Sequence, residues 1–395
     1  MTLKECVFID GVRTANARAH AEKGWFRNVN QDETLAACYN ALFERNPKVK
    51  PEDVDTVIVG TANQSGRQND IGRLAWISHG LPERVASQTV SNQCPSGMIA
   101  TLDAARAIVT GEADIMISAG VEDMEKVSMG ANMMFPDKFM SQYNIMEIPM
   151  GNTAEKVAEL HDIARTDMEN MAIHSHTRAN AATVEGKFKK EIVPIMGKDE
   201  EGNDFLVEKD QWIRAVQDPE KMAAMRTPFK PDGRVTAATS SPLTAGAAAL
   251  LMMSREKADE LGLDYTYKYS FGVQEGNDPT VMGMGPSLCI KKILDKKGLT
   301  VDDIGVVEMN EAFAAQALAC IRDCGIDNDN APFDKTNLWG GAIALGHPLG
   351  ESGARIIVTL LNVMKTEKPD AKYGIATLCG GFGNGVGILI EKVEK

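Results

Sequence analysis

The stretch SNQCPSGMIATLDAARAIVTG, Ser91 to Gly111, decides how this chain is read. Met98, Leu102, Ala105 and Val109 recur at helical spacing, and VASQTV just before them alternates as a strand does. Cys94 therefore stands at or beside a helix start, where backbone N–H groups lack partners and the macrodipole favours negative charge. Two readings follow. Cys94 is an activated nucleophile, or it is a small hydrophobe that suits a tight turn.

Working outward, the first 120 residues alternate strand-like runs (CVFIDG, VDTVIVG, ADIMISAG) with helical patterns, the signature of an α/β sheet. From Glu122 to about Gly233 the chain is methionine-rich, then charged and irregular. It carries one long helical pattern, near Thr153 to Gly186, and reads as an insertion at about 121–245. From TAGAAALLMMS onward the α/β alternation resumes and ends in GVGILIEKVE. The boundaries expected are a first half over 1–271, including the insertion, and a second over 272–395.

The two α/β parts look alike by position. Cys94-Pro95-Ser96-Gly97 opens a helix followed by the strand DIMISAG, and His347-Pro348-Leu349-Gly350 precedes the helix ARIIVTLLNVM and the strand GIATLCGG. A duplicated unit places Cys94 and His347 at equivalent turns. Glycines around His347 let backbone approach a ligand, and Pro348 stiffens the turn.

At 395 residues the chain exceeds one usual core. Its 42 Lys and Arg against 55 Asp and Glu leave a net charge of -13, which argues against a nucleic-acid or anionic-membrane surface, so a polyanionic ligand needs a local basic patch. Seven cysteines with no CxxC pair suit free thiols in a reducing, cytoplasmic compartment and argue against zinc or any other metal site. The longest apolar run, AGAAALLMM, has 9 residues, far below the roughly 20 that span a bilayer.

Other residues carry chemistry. Cys379 ends a buried strand and runs into GGFGNGVG. That tract opens no helix, so it is not a dinucleotide fingerprint; its glycines instead expose N–H groups for an oxyanion hole. Asn310, between the strand VVEM and a helix, reads as an N-cap or as the amide that holds a catalytic water. Cys6, Cys38, Cys289, Cys320 and Cys324 read as packing residues. His20, His161, His174 and His176 read as solvent-facing, and His79 as a helix-end residue. The seven methionines from Met124 to Met150 read as core filler or as an adaptable wall for acyl chains.

Together VRTANAR, NQCPSG, SAGVEDM, MGNTAEKVAE, GRVTAATSSPLTAGAAALLMMS, DPTVMGMGP, NEAFAAQ, GGAIALGHPLGESGARI and LCGGFGNG resemble the thiolases, which make or cleave 3-ketoacyl-CoA. The resemblance covers nearly the whole chain. It implies an α/β, five-layer fold of two duplicated halves with an inserted CoA-binding loop domain. By it, Cys94 matches the acylated nucleophile, His347 its activating base, and Cys379 the acid/base at the substrate α-carbon. Asn310 holds a water that forms one oxyanion hole with His347, and the amides of Cys94 and Gly381 form the other. Arg214 and Ser241 fall where the family contacts CoA, with Lys221 and Arg226 as neighbours of its phosphates. CoA enters as a substrate, with no resident cofactor.

Departures from the family pattern are Ala15, Pro149, Glu351 and Phe382, the last two expected to reshape the pocket. TAATSS, GWFRNVN and FERNP look most like the thiolase subunit of bacterial fatty-acid β-oxidation complexes. That points to degradation, a homodimer or homotetramer, and a hydratase/dehydrogenase partner subunit. A biosynthetic acetoacetyl-CoA thiolase and a non-catalytic CoA-binding scaffold are the competing readings. A ketoacyl synthase uses two histidines where this chain has His347 and Cys379.

Overall fold

The computed structural model describes residues 3–326 and 333–394. In chain order the first part contains β1 (Cys6–Arg13), β2 (Ala17–Arg18), α1 (Gln31–Arg45), β3 (Thr56–Gly60), α2 (Ile71–Ser78), β4 (Ala86–Val90), α3 (Ser96–Thr110) and β5 (Ile115–Asp123). An insertion follows with α4 (Asp137–Gln142), α5 (Met150–Leu160), α6 (Arg165–Val184), the hairpin β6 (Ile195–Lys198) and β7 (Asp204–Val207), and α7 (Pro219–Ala223). β8 (Thr244–Ser254) and α8 (Arg255–Leu261) return to the first half. The second half holds β9 (Tyr267–Gly276), α9 (Gly285–Lys297), β10 (Ile304–Met309), α10 (Ala314–Cys324), α11 (Ala342–Leu345), α12 (Leu349–Thr366), β11 (Tyr373–Gly380) and β12 (Asn384–Lys392).

The sheet order reveals the duplication. The first half reads β4-β3-β5-β8-β1 and the second β10-β11-β12-β9. In each, two parallel strands (β3 and β5, β10 and β11) are followed by two antiparallel neighbours. Thr336 bridges Val307 in parallel at the position β4 holds beside β3. The halves join where β1 meets β9 at Val7–Lys268 and Phe8–Tyr267. As β9 is the counterpart of β1, residue 271 lies within the first strand of the second repeat.

Five layers follow from which faces are apolar. β5 and β8 are buried at every position, as expected for strands covered on both faces. α1 covers the first half-sheet from outside and α9 the second, while α3 and α12 pack on each other between them. α12 is buried nearly all round, at 14 of its 18 residues, as a helix enclosed by two sheets must be. The two central helices approach through glycine. A Cβ on Gly97 would strike the carbonyl of Gly350, and one on Gly353 would strike the backbone of Met98. This contact sets the turns preceding α3 and α12 side by side.

The single helical pattern at 153–186 is in fact two helices. Asp162 takes a left-handed φ of 47°, which Asp tolerates, and the amide of Ile163 closes onto the Ala158 carbonyl at 2.9 Å. No helix among the described residues is long and apolar enough to cross a membrane.

Candidate active site

Cys94 sits in a sharp elbow between β4 and α3. Gln93 before it adopts a left-handed φ of 51°, and the Ser96 hydroxyl donates to the Gln93 carbonyl at 2.6 Å while accepting from the Asn92 amide. Cys94 is buried, and the backbone amides of Gly381 and of Cys94 itself favour its ionised form. These are the two amides expected to form an oxyanion hole. Burial nevertheless outweighs them and pushes the thiol up to about 12, the Glu122 carboxylate adding to the rise. The resting group is a thiol, where the helix-start position alone had suggested a thiolate.

His347 lies in the matching turn before α12. Its Nδ1 is 2.6 Å from Ser352 Oγ, and that hydroxyl donates to the Pro348 carbonyl. Ser352 has one proton to give, so it accepts from His347, and Nδ1 carries the ring proton. Nε2 is thereby left as the basic nitrogen, 3.3 Å from Asn310 Nδ2. Burial, with the Arg355 cation in the same sense, pushes His347 down to about 3, so the imidazole is neutral near pH 7. Ser352 was not singled out from the sequence; its spacing of five from His347 across a helix start was the available signal.

Asn310 directly follows β10, and its amide donates to the Thr377 carbonyl at 3.0 Å, two residues before Cys379 on the neighbouring parallel strand. The helix after it begins only at Ala314, with Phe313 at the N-cap position. The capping role is thus excluded, and Oδ1 is buried without a hydrogen-bond partner among the described residues. Cys379 is buried beside Cys94, and both burial and that neighbour push its thiol upward. A Cβ on Gly380 would strike Pro95, which shows how closely this loop approaches the nucleophile elbow.

Glu122, near the end of β5, ties the start of α12 to the loop after β3. Its Oε2 accepts from the amides of Ala62 (2.6 Å) and Gly350 (2.9 Å), the latter in the first turn of α12. Burial pushes it up to about 7 against these bonds.

A cleft of about 560 Å³ leads to His347. Ser241 lines it and donates to the Ala312 carbonyl at 3.0 Å. Pro149, Met124, Met129 and Met150 are also in its wall. Arg214 lies in an adjoining cavity of about 280 Å³ that shares Arg18 and Trp212 with the cleft. Both guanidinium groups stand over the Trp212 ring, at 4.9 and 5.2 Å. Arg18 is therefore a cation at the cleft itself, inside the VRTANAR stretch but not selected there. Lys221 and Arg226 are exposed and line neither space, and Lys221 pairs with Asp218 at 3.0 Å.

Other expectations are corrected. His176 is buried on α6, accepts the Arg214 amide at Nδ1 (3.2 Å) and is pushed down to about 4 by burial and by Arg214. His174 is half-buried against Phe333. Of the seven methionines from Met124 to Met150, Met124 alone is buried, and Met124, Met129, Met133 and Met150 line cavities. Glu351 is fully buried beside Arg355 and does not reach the cleft, and Phe382 packs on the insertion.

A thiol under two amides, a neutral base and a second thiol define an acyl-transfer site. A family model for the thiolase N-terminal domain matches residues 6–256, and one for the thiolase C-terminal domain matches 266–392. The chain belongs to the thiolase family of acyltransferases. It is similar to the 3-ketoacyl-CoA thiolase of Marinomonas sp. (strain MWYL1), 43% identical over 98% of each chain. The 3-ketoacyl-CoA thiolase of Aliivibrio fischeri is 42% identical, covering 99% of this chain and 100% of its own. The crystal structure of the Bacillus anthracis acetyl-CoA acetyltransferase aligns with a TM-score of 0.88 at 34% identity, over 99% of this chain and 100% of that one.

Proposed function

We propose that the chain cleaves 3-ketoacyl-CoA with CoA, giving acetyl-CoA and an acyl-CoA two carbons shorter, through an acyl-Cys94 intermediate. The observation that carries this reading is the His347 tautomer, which leaves Nε2 as a base in the wall of the cleft. Cys94 passes its proton to Nε2 as its sulfur attacks the ketone carbon. The Cys94 and Gly381 amides supply one oxyanion hole, and His347 with a water held by Asn310 supplies the other. The bond between the α- and β-carbons breaks, and the Cys379 thiol protonates the departing acetyl-CoA enolate. The Cys379 thiolate then takes the proton of incoming CoA, whose sulfur displaces the acyl group, and His347 returns its proton to Cys94. Each group ends as it began.

CoA is a substrate here, with its pantetheine along the cleft by Ser241 and its phosphates toward Arg18 and Arg214; Lys221 and Arg226 stand further out as exposed cations. Pro149 in the cleft wall, with no side-chain donor, supports degradation in fatty-acid β-oxidation over acetoacetyl-CoA synthesis. Seven free cysteines support a cytoplasmic setting. The half-exposed edge strand β4 supports assembly with a second copy, as a dimer or tetramer; a hydratase/dehydrogenase partner belongs to the same reading. The domain division follows likewise, with the CoA-binding insertion at about 121–245.

The deciding experiment separates the two thiols. Cys379→Ala should still form one acyl adduct at Cys94 by intact mass, yet lose cleavage by roughly 10²–10⁴. Cleavage within a few-fold of the parent, or an adduct that survives Cys94→Ala, refutes these roles.

A further inference from the structure

Phe382 holds a backbone conformation that residues with a side chain rarely adopt, φ 64°. Its ring shows what holds it there. Phe135 meets it edge-on with centroids 5.8 Å apart and Phe139 edge-on at 6.1 Å. Those two rings stack on each other at 5.7 Å, and Tyr143 adds a contact to Phe139 at 5.0 Å. All three partners belong to residues 135–143 of the insertion.

This clamp has functional elements on either side. In the chain, Phe382 directly follows Gly381, whose amide favours the ionised form of Cys94. The clamped segment begins two residues after Met133, and Met129–Met133 walls a second cavity of about 250 Å³. Gln93, the residue before the nucleophile, lines that cavity, and its side chain is also the nearest neighbour of Gly381. The cavity shares Met124, Met129 and Leu349 with the cleft. Arg18 and Trp212 line the cleft and not the second cavity, whose wall combines Met129, Met133 and Leu349 with the polar Asn63, Gln93 and Glu122. Met129 and Met133 are exposed to a large degree, so this wall is held by the neighbouring aromatic clamp together with the Asn63 amide, which donates to the Ser128 and Ala131 carbonyls at 3.2 and 3.3 Å.

We propose that Phe382 is a positioning residue that sets acyl-chain specificity: its clamp on Phe135 and Phe139 holds the Met129–Met133 segment as a fixed wall for the distal carbons of the acyl group on Cys94. The inference rests on the thiolytic reading above. Contacts to distal carbons are made equally in ground and transition states, so their loss raises KM more than it lowers kcat.

Phe382→Gly tests it, because glycine adopts the left-handed φ without strain and the backbone is retained. Thiolysis of four-carbon and ten-carbon 3-ketoacyl-CoA is measured in the parent, Phe382→Gly and Phe382→Tyr. In Phe382→Gly, kcat/KM for the ten-carbon substrate should fall about tenfold, mostly through KM, the scale expected for loss of apolar pocket contacts. The four-carbon value should move less than twofold, and Phe382→Tyr should keep the parent's ratio. An unchanged ratio in Phe382→Gly overturns the proposal. An equal loss on both substrates also overturns it, assigning Phe382 to the Gly381 amide alone. A parent inactive on both substrates refutes the thiolytic reading, and the clamp's role falls with it.

Discussion

Replacing Ser352 by Ala removes the group that selects the His347 tautomer. In the native site the Nδ1 proton is committed to Ser352 Oγ at 2.6 Å, leaving Nε2 basic. In the variant the buried Nδ1–H loses its acceptor, and the ring does better with its proton at Nε2, where it cannot accept the Cys94 proton. Leaving a buried donor unpaired costs about 2 kcal/mol, which is roughly thirtyfold in rate if the productive tautomer must be restored at each turnover. The assay is single-turnover acylation: enzyme is mixed with acetyl-CoA, quenched, and the Cys94 adduct counted by intact mass. Ser352→Thr keeps the hydroxyl and should acylate within a few-fold of the parent. A Ser352→Ala rate within twofold of the parent, in a protein with unchanged melting, would falsify the tautomer argument.

Two further outcomes follow from residues at the margins of the site. Arg18→Ala should raise KM for CoA about fivefold while kcat moves little, as expected when a charge-assisted contact remote from the reacting atoms is lost; a collapse of kcat at constant KM contradicts the placement of the phosphates. Glu351 is pushed from 4.5 up to about 7, first by burial and against the opposing Arg355 cation. The unfolded chain therefore releases this proton at lower pH than the folded one, and folding stability falls by about 3 kcal/mol as pH rises from about 4.5 to about 7. Glu351→Gln removes that loss, so its melting midpoint should exceed the parent's at pH 8 and match it near pH 4.5; equal midpoints at both pH values would show that Glu351 titrates normally.

The sequence by itself determined what local spacing encodes. A strand, a turn and a 3.6-residue apolar period place Cys94 at a helix start, and the parallel Cys-Pro-Ser-Gly and His-Pro-Leu-Gly turns expose the duplication. Both signals need only near neighbours in the chain. Asn310, four residues ahead of a helix, satisfied a local capping pattern equally well, and only the parallel pairing of β10 with β11 turned it toward His347. Tertiary structure alone decided protonation, because desolvation sums over segments hundreds of residues apart: it keeps Cys94 a thiol despite its helix, and buries His176 on a helix whose sequence looks polar. It also decided that Ser352 orients the base, that Glu122 ties the start of α12 to the loop after β3, and that Phe382 reaches the insertion. Those contacts depend on the glycine-mediated approach of α3 to α12 and on the path of a long insertion, and neither leaves a periodic trace in the chain.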